Sequence, residues 1–169
     1  SDSDQLKRAE VQGPVLRKLV SKLAKTARIL YAIYLVMTAI LVIILMLVKV
    51  PLFDALLLSF GTAGTGGFSI NNAGFAIYQN PEMVEWIIGI GMMLFGVNFN
   101  LYYFLLLGSI REVLTDEEGR SYIGIIAFAS VAIFASLSIV QSQLDVPFRS
   151  VFFTVSSIIT TTGYSTADF

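Results

Sequence analysis

Three stretches of this chain run without a charge for long enough to cross a bilayer, which needs about 20 apolar residues. Ile29 to Val48 lies between Arg28 and Lys49, and Trp86 to Ile110 closes at Arg111. Ser121 to Leu144 lies between Arg120 and Asp145, with the polar Gln141-Ser142-Gln143 at one end. Two shorter apolar runs open at Pro51 and Pro147 and end in Gly- or Thr-rich sequence. They are too short to span and fit re-entrant elements, because irregular backbone is tolerated at membrane depth only beside protein or water. The pattern predicts an all-α membrane protein in the order span, re-entrant loop, span, polar linker, span, re-entrant loop.

The two Pro-led segments are copies of one another. Pro51 to Ser69 and Pro147 to Ser165 align without a gap at an offset of 96 residues. Each ends in Thr-x-Gly-aromatic-Ser, as Thr65-Gly66-Gly67-Phe68-Ser69 and Thr161-Thr162-Gly163-Tyr164-Ser165. Thr62-Ala63-Gly64 offers an earlier Thr-x-Gly, but only Thr65 to Phe68 matches the second copy. The ending resembles the Thr-Val-Gly-Tyr-Gly strand with which potassium channels replace the hydration shell of the ion by carbonyl oxygens. Under that reading the repeats are span–pore loop–span units of potassium-channel type, each with a short pore helix and an extended filter strand. Gly67 and Gly163 supply conformations that a Cβ disfavours. Thr65 and Thr161 could add hydroxyl ligands below the carbonyls, and Phe68 and Tyr164 serve as packing struts. Pro51 and Pro147 suit the first turn of each short helix, whose negative C-terminal end faces the cation site. Gly-rich runs such as Gly61 to Gly67 also occur as simple packing surfaces. Two such loops in register, each after a hydrophobic span, favour the filter.

Composition agrees with a membrane setting: 56% of residues are hydrophobic, 14% are charged, and mean hydropathy is +0.77. There is no Cys and no His, which removes disulfides, thiol chemistry and the usual zinc sites. No nucleophile–base pair or phosphate-binding fingerprint is visible either, so an enzyme is not expected. The charges orient the chain. Lys7, Arg8, Arg17, Lys18, Lys22, Lys25, Arg28, Arg111 and Arg120 fall on one side, which the positive-inside rule makes cytoplasmic. Lys49 and Arg149 fall on the other, so both loops dip in from outside. Before the first span, basic residues alternate with Leu16, Leu19, Val20 and Leu23 in the manner of an interfacial or cytoplasmic helix. The expected organisation is 1–27 cytoplasmic or interfacial segment, 28–110 complete repeat, 111–120 cytoplasmic linker and 121–169 partial repeat.

Phe60 to Ser69, Thr160 to Phe169, and Phe95-Gly96-Val97-Asn98-Phe99-Asn100-Leu101-Tyr102-Tyr103 together resemble the Trk/Ktr/HKT superfamily of cation transporters, in its TrkH-like potassium-uptake branch. They are similar to its third pore loop, its fourth pore loop and its third-repeat inner helix. The resemblance implies four repeats in one polypeptide around one pore, so this chain is expected to be a fragment lacking two repeats and the last inner helix. It implies K+ as the transported ion with no organic cofactor. It marks Thr65, Gly66, Gly67, Phe68, Thr161, Thr162, Gly163 and Tyr164 as the potassium-binding segments. The ion-facing carbonyls are expected from Thr65, Gly66, Thr161 and Thr162. It further implies a bacterial inner-membrane homodimer, in contact with lipid, with the remaining repeats and with a cytoplasmic RCK-type nucleotide-binding subunit, and no nucleic acid. The alternatives are a two-pore-loop potassium channel subunit, which the missing terminal filter glycine disfavours, and a non-conducting scaffold.

Gly89, Gly91 and Gly96 weaken the second span, and Asn98 and Asn100 place polar groups inside it. A bend or unwinding near Gly96 to Asn100 is expected, either as an intramembrane gate below the Gly67 strand or as a close-packing surface. Asp54 is expected to favour the start of its short helix. Glu82, Glu85 and Asp116-Glu117-Glu118 are expected as solvated surface, Trp86 as an interfacial anchor, and Asp168 as a structural or mouth-lining residue.

Overall fold

The computed structural model describes residues 2–69, 74–140 and 146–166, with the backbone alone for 2–22 and 140. Asp168 and the Leu16, Leu19 and Val20 side chains lie outside this description. Among the described residues the chain is all-helical: α1 (Asp2–Leu47), α2 (Leu52–Ala63), α3 (Pro81–Phe95), α4 (Phe99–Leu106), α5 (Ile110–Thr115), α6 (Glu117–Val140) and α7 (Phe148–Ile159). A 3-10 turn at Gly74–Ile77 precedes α3. Leu23–Leu47 and Glu117–Ile139 are long and apolar enough to cross a membrane, and α3 with α4 forms a third stretch bent by 86°.

Several boundaries differ from the hydropathy pattern. The basic N-terminal segment is not a separate helix but the start of α1. The second span begins at Pro81, taking Glu82 and Glu85 into helix, and α6 begins at Glu117 rather than Ser121. Capping explains the latter. The Asp116 carboxylate accepts from the Gly119 amide at 2.7 Å, and Glu117 and Glu118 follow in the first turn, where the helix dipole favours them.

The short helices α2 and α7 have 12 residues each and start directly after Pro51 and Pro147. Both prolines take an extended ψ, 146° and 143°, so each sits one position before the first turn. A residue preceding proline is steered away from the α region, which stops either helix from extending backwards. The core lies where α2, α3 and α7 meet the end of α1, around Leu45, Leu58, Ile88, Met92 and Phe153. Gly89 and Gly91 belong to this packing: they sit inside unbroken α3, facing Phe152 and Phe153, and Thr62 and Leu41. Their small size lets neighbouring helices approach, which is the packing rather than the gating role. The outward faces of α1 and α6 are apolar, as with Leu35, Val36, Phe128 and Ile139, all exposed.

Candidate functional site

The duplication persists in the backbone to the level of single hydrogen bonds. Gly64 N donates to Phe60 O at 2.8 Å, and Thr160 N to Ser156 O at 3.0 Å. Thr65 N donates to Thr62 O (3.3 Å) and Thr161 N to Ile158 O (3.1 Å). Gly66 N reaches Gly61 O at 2.7 Å, and Thr162 N reaches Ser157 O at 2.9 Å. The last two pairs form a Schellman closure, in which one residue turns left-handed and the end carbonyls of the helix are satisfied.

That left-handed residue is normally glycine, but here it is Thr65 (φ 50°) and Thr161 (φ 57°). Gly67 (φ 60°) and Gly163 (φ 83°) turn again two positions later. A β-branched residue at such φ is an outlier, costing about 1–3 kcal/mol, and such strain concentrates at functional sites. Assigning the whole turn to the glycines missed this. The available signal was the recurrence of Thr at that one position of both copies.

The two loop ends meet. A β-carbon on Gly67 would lie 2.1 Å from the Thr162 carbonyl oxygen and 3.0 Å from the Gly163 carbonyl carbon. Gly67 is therefore needed both for its φ and for contact with the second copy. Tyr164 crosses the other way: it is buried, and its hydroxyl donates to Leu58 O in α2 at 3.2 Å. Its ring packs on Phe75 and Phe153, with centroids 5.9 and 6.4 Å away. It is a strut, and its carbonyl accepts from Ser157 Oγ at 2.7 Å. Phe68, the equivalent position, is instead 71% exposed.

The threonine hydroxyls are partly used locally. Thr161 Oγ1 donates to Thr160 O (2.7 Å), and Thr160 Oγ1 to Ser156 O (2.7 Å). With the Thr160 hydrogen so used, Thr162 is the donor in its 2.8 Å contact with Thr160. Thr65, Thr161 and Gly163 are exposed, while Gly66 and Gly67 are half-buried.

On the side where both short helices begin, the expected solvated surface is partly an ion-pair cluster. Arg149 in the first turn of α7 contacts Glu82 at 3.1 Å and Glu85 at 2.5 Å. Glu82 stays solvated, but Glu85 is buried, with its other carboxylate oxygen unpartnered among the described residues. Arg149 thus ties α7 to α3. Asp54 makes no capping bond at the start of α2 and instead accepts from the Tyr78 hydroxyl at 3.1 Å. Burial and this bond push Tyr78 up to about 12. Its contribution is complete below the ordinary tyrosine value of about 10 and is lost as pH rises towards 12. Trp86 is part-exposed and rests on Phe152, with ring centroids 5.4 Å apart.

The break between α3 and α4 falls at Gly96-Val97-Asn98. Asn98 caps α4 by accepting from Asn100 N at 3.0 Å. The α3 carbonyls at the break are met by side chains that hydropathy did not single out. The Tyr122 hydroxyl on α6 donates to Met93 O (3.0 Å), and the Tyr102 hydroxyl on α4 to Leu94 O (2.7 Å). Asn98 Nδ2 also donates to Glu118 Oε2 at 3.0 Å, so Glu118 is not merely solvated surface. Gly96 is right-handed (φ −79°), so space rather than conformational freedom explains it: a β-carbon there would lie 2.2 Å from the Tyr122 hydroxyl and 2.9 Å from Thr160 Cγ2. The break therefore abuts the end of α7, in the second copy.

A family model described as TrkH, cation transport protein, matches residues 1–123. The chain is 33% identical over 96% of its length to the Trk system potassium uptake protein TrkH of Salmonella typhimurium. It is 34% identical to the protein of that name from Escherichia coli K12, again over 96% of its length, and 30% identical over 98% to the TrkG protein of that strain. It spans about a third (34%) of the length of each of these relatives. The crystal structure of the potassium transporter TrkH from Vibrio parahaemolyticus superposes with a TM-score of 0.76 at 27% identity, covering 85% of this chain and 32% of that one.

Proposed function

Because the chain belongs to the TrkH cation transport protein family, we propose that it forms one part of a potassium-conducting pore. Its ion ligands are backbone carbonyls of Thr65, Gly66, Thr161 and Thr162. The observation that carries this is the repeated strained turn, with the same two positive-φ positions and the same closing bonds in both copies. Strain kept twice in register implies a shared task, and lining up carbonyls towards a cation is one that regular helix cannot perform. In this reading Gly67 and Gly163 permit the turn. Residues 65–68 and 161–164 are extended filter strands, and α2 and α7 are re-entrant pore helices whose negative ends face the ion.

The edges of the two copies suit a ring of more than two loops. Gly67 meets the Thr162 carbonyl and Tyr164 seats on α2, whereas among the described residues nothing lies within 4 Å of a β-carbon on Gly163, and Phe68 is exposed. These are the two faces that further copies of the loop would engage. Residues 28–110 then form a complete repeat and 121–169 part of the next. The two-pore-loop channel and the scaffold gain no support from the family. The break at Gly96 to Asn100 is read as an intramembrane gate.

Gly163→Ser in the full-length protein should weaken potassium preference over sodium by about ten-fold, because a left-handed φ costs a residue with a Cβ roughly 1–2 kcal/mol. Unchanged selectivity at normal protein levels would sink the filter assignment. The protein works in the bacterial inner membrane as a homodimer, with the N-terminus of this chain cytoplasmic and a nucleotide-binding RCK-type subunit as its regulator. The basic segment 7–28 and the linker 111–120 are the surfaces for that subunit. Photo-cross-linkers at Lys25 or Arg111 in native membranes should capture it, and failure at both sites would remove this docking surface.

A further inference from the structure

Both sides of the break between α3 and α4 are contacted by one helix, α6. Glu118 in the first turn of α6 accepts from Asn98 at the start of α4, and Tyr122 donates to Met93 O near the end of α3. Residues four apart on a helix lie one above the other on one face, so these contacts share a single face of α6. The Tyr122 contact is structural for the break. Val97 N turns to Leu94 O (3.3 Å) instead of continuing the ladder to Met93. The Met93 carbonyl then takes its partner from outside α3, and lipid has none to give. Gly96 leaves the room that Tyr122 needs. The same helix begins directly after the linker, where Asp116 caps it.

We propose that Glu118 and Tyr122 are positioning residues that couple the linker to the conduction path. A shift of the first turn of α6 moves both sides of the break together and changes its opening, with Glu118–Asn98 as the polar half of the grip. This rests on the reading of the break as a gate.

The test uses the full-length protein in liposomes, with potassium flux and the potassium-to-sodium ratio as readouts. Asn98→Asp sets two carboxylates against each other while keeping the cap of α4, since Asp caps as well as Asn. Glu118→Gln alone preserves the bond, because the introduced amide oxygen accepts from Asn98. The double variant rebuilds it with the donor reversed, the introduced amide donating to the introduced carboxylate. Asn98→Asp is expected to change flux roughly five-fold, within the coupling range for contacting groups, at an unchanged ion ratio. Glu118→Gln should stay close to the parent, and the double variant should return towards it. Tyr122→Phe, which deletes only the hydroxyl, should also change flux at constant ratio, and Glu118→Gln should not restore it. No effect of Asn98→Asp, or no restoration by the double variant at normal protein levels, overturns the coupling. If Gly96→Ala still moves flux in that case, the gate stands and only the coupling falls. If neither moves it, the gate reading itself has failed.

Discussion

Replacing Gly67 with alanine in the full-length protein is expected to abolish selective potassium flux, and more completely than any change at Gly163. Two costs coincide at Gly67. Its φ of 60° is left-handed, which penalises a residue with a Cβ by about 1–2 kcal/mol, enough for a ten-fold effect or more. The new β-carbon would also sit 2.1 Å from the Thr162 carbonyl oxygen. That obstacle is backbone, so no rotamer change relieves it, and one loop must move away from the other. Gly163 has a similar φ of 83°, but among the described residues nothing lies within 4 Å of a β-carbon there, so alanine meets only the conformational cost. Paired potassium and sodium flux measurements at matched protein levels check the ranking. Parental selectivity in Gly67→Ala would mean that the contact between the loops does not shape the filter.

The second large effect is expected at Gly96, where alanine should change flux several-fold without changing ion preference. Alanine favours helix over glycine by about 0.8–1 kcal/mol, which works against the break. Steric crowding outweighs this. The β-carbon falls 2.2 Å from the Tyr122 hydroxyl, so Tyr122 must swing off the half-buried Met93 carbonyl, and the lost hydrogen bond costs about 1 kcal/mol. Alanine also crowds Thr160 Cγ2 at 2.9 Å, but this methyl group lies beside the break and does not line the loop as a ligand. A fall in the potassium-to-sodium ratio would instead place Gly96 within the filter, and unchanged flux would deny the break any role in gating.

Composition and short-range pattern are legible in the chain alone. Uncharged length marked the spans, and the 96-residue register marked the paired loops. Gly96 and Asn98 marked where the second span bends, because a cap such as Asn98 acts within a few residues. Which groups meet depends on how the helices pack. The hydroxyl of Tyr164 finds Leu58 across 106 residues, Arg149 finds Glu85 across 64, and Tyr122 finds Met93 across 29. None of these pairs has a local signature. They explain why Glu85 is buried and why Gly61 and Gly96, each facing a tyrosine hydroxyl, must be small. Asp54 sits in the first turn of its own helix and also accepts from the distant Tyr78. The same holds for the left-handed threonines at 65 and 161. Local preference argues against that conformation, and it persists because the helix-end hydrogen bonds and the packing of the second loop against the first hold the backbone where isolated threonine would not stay.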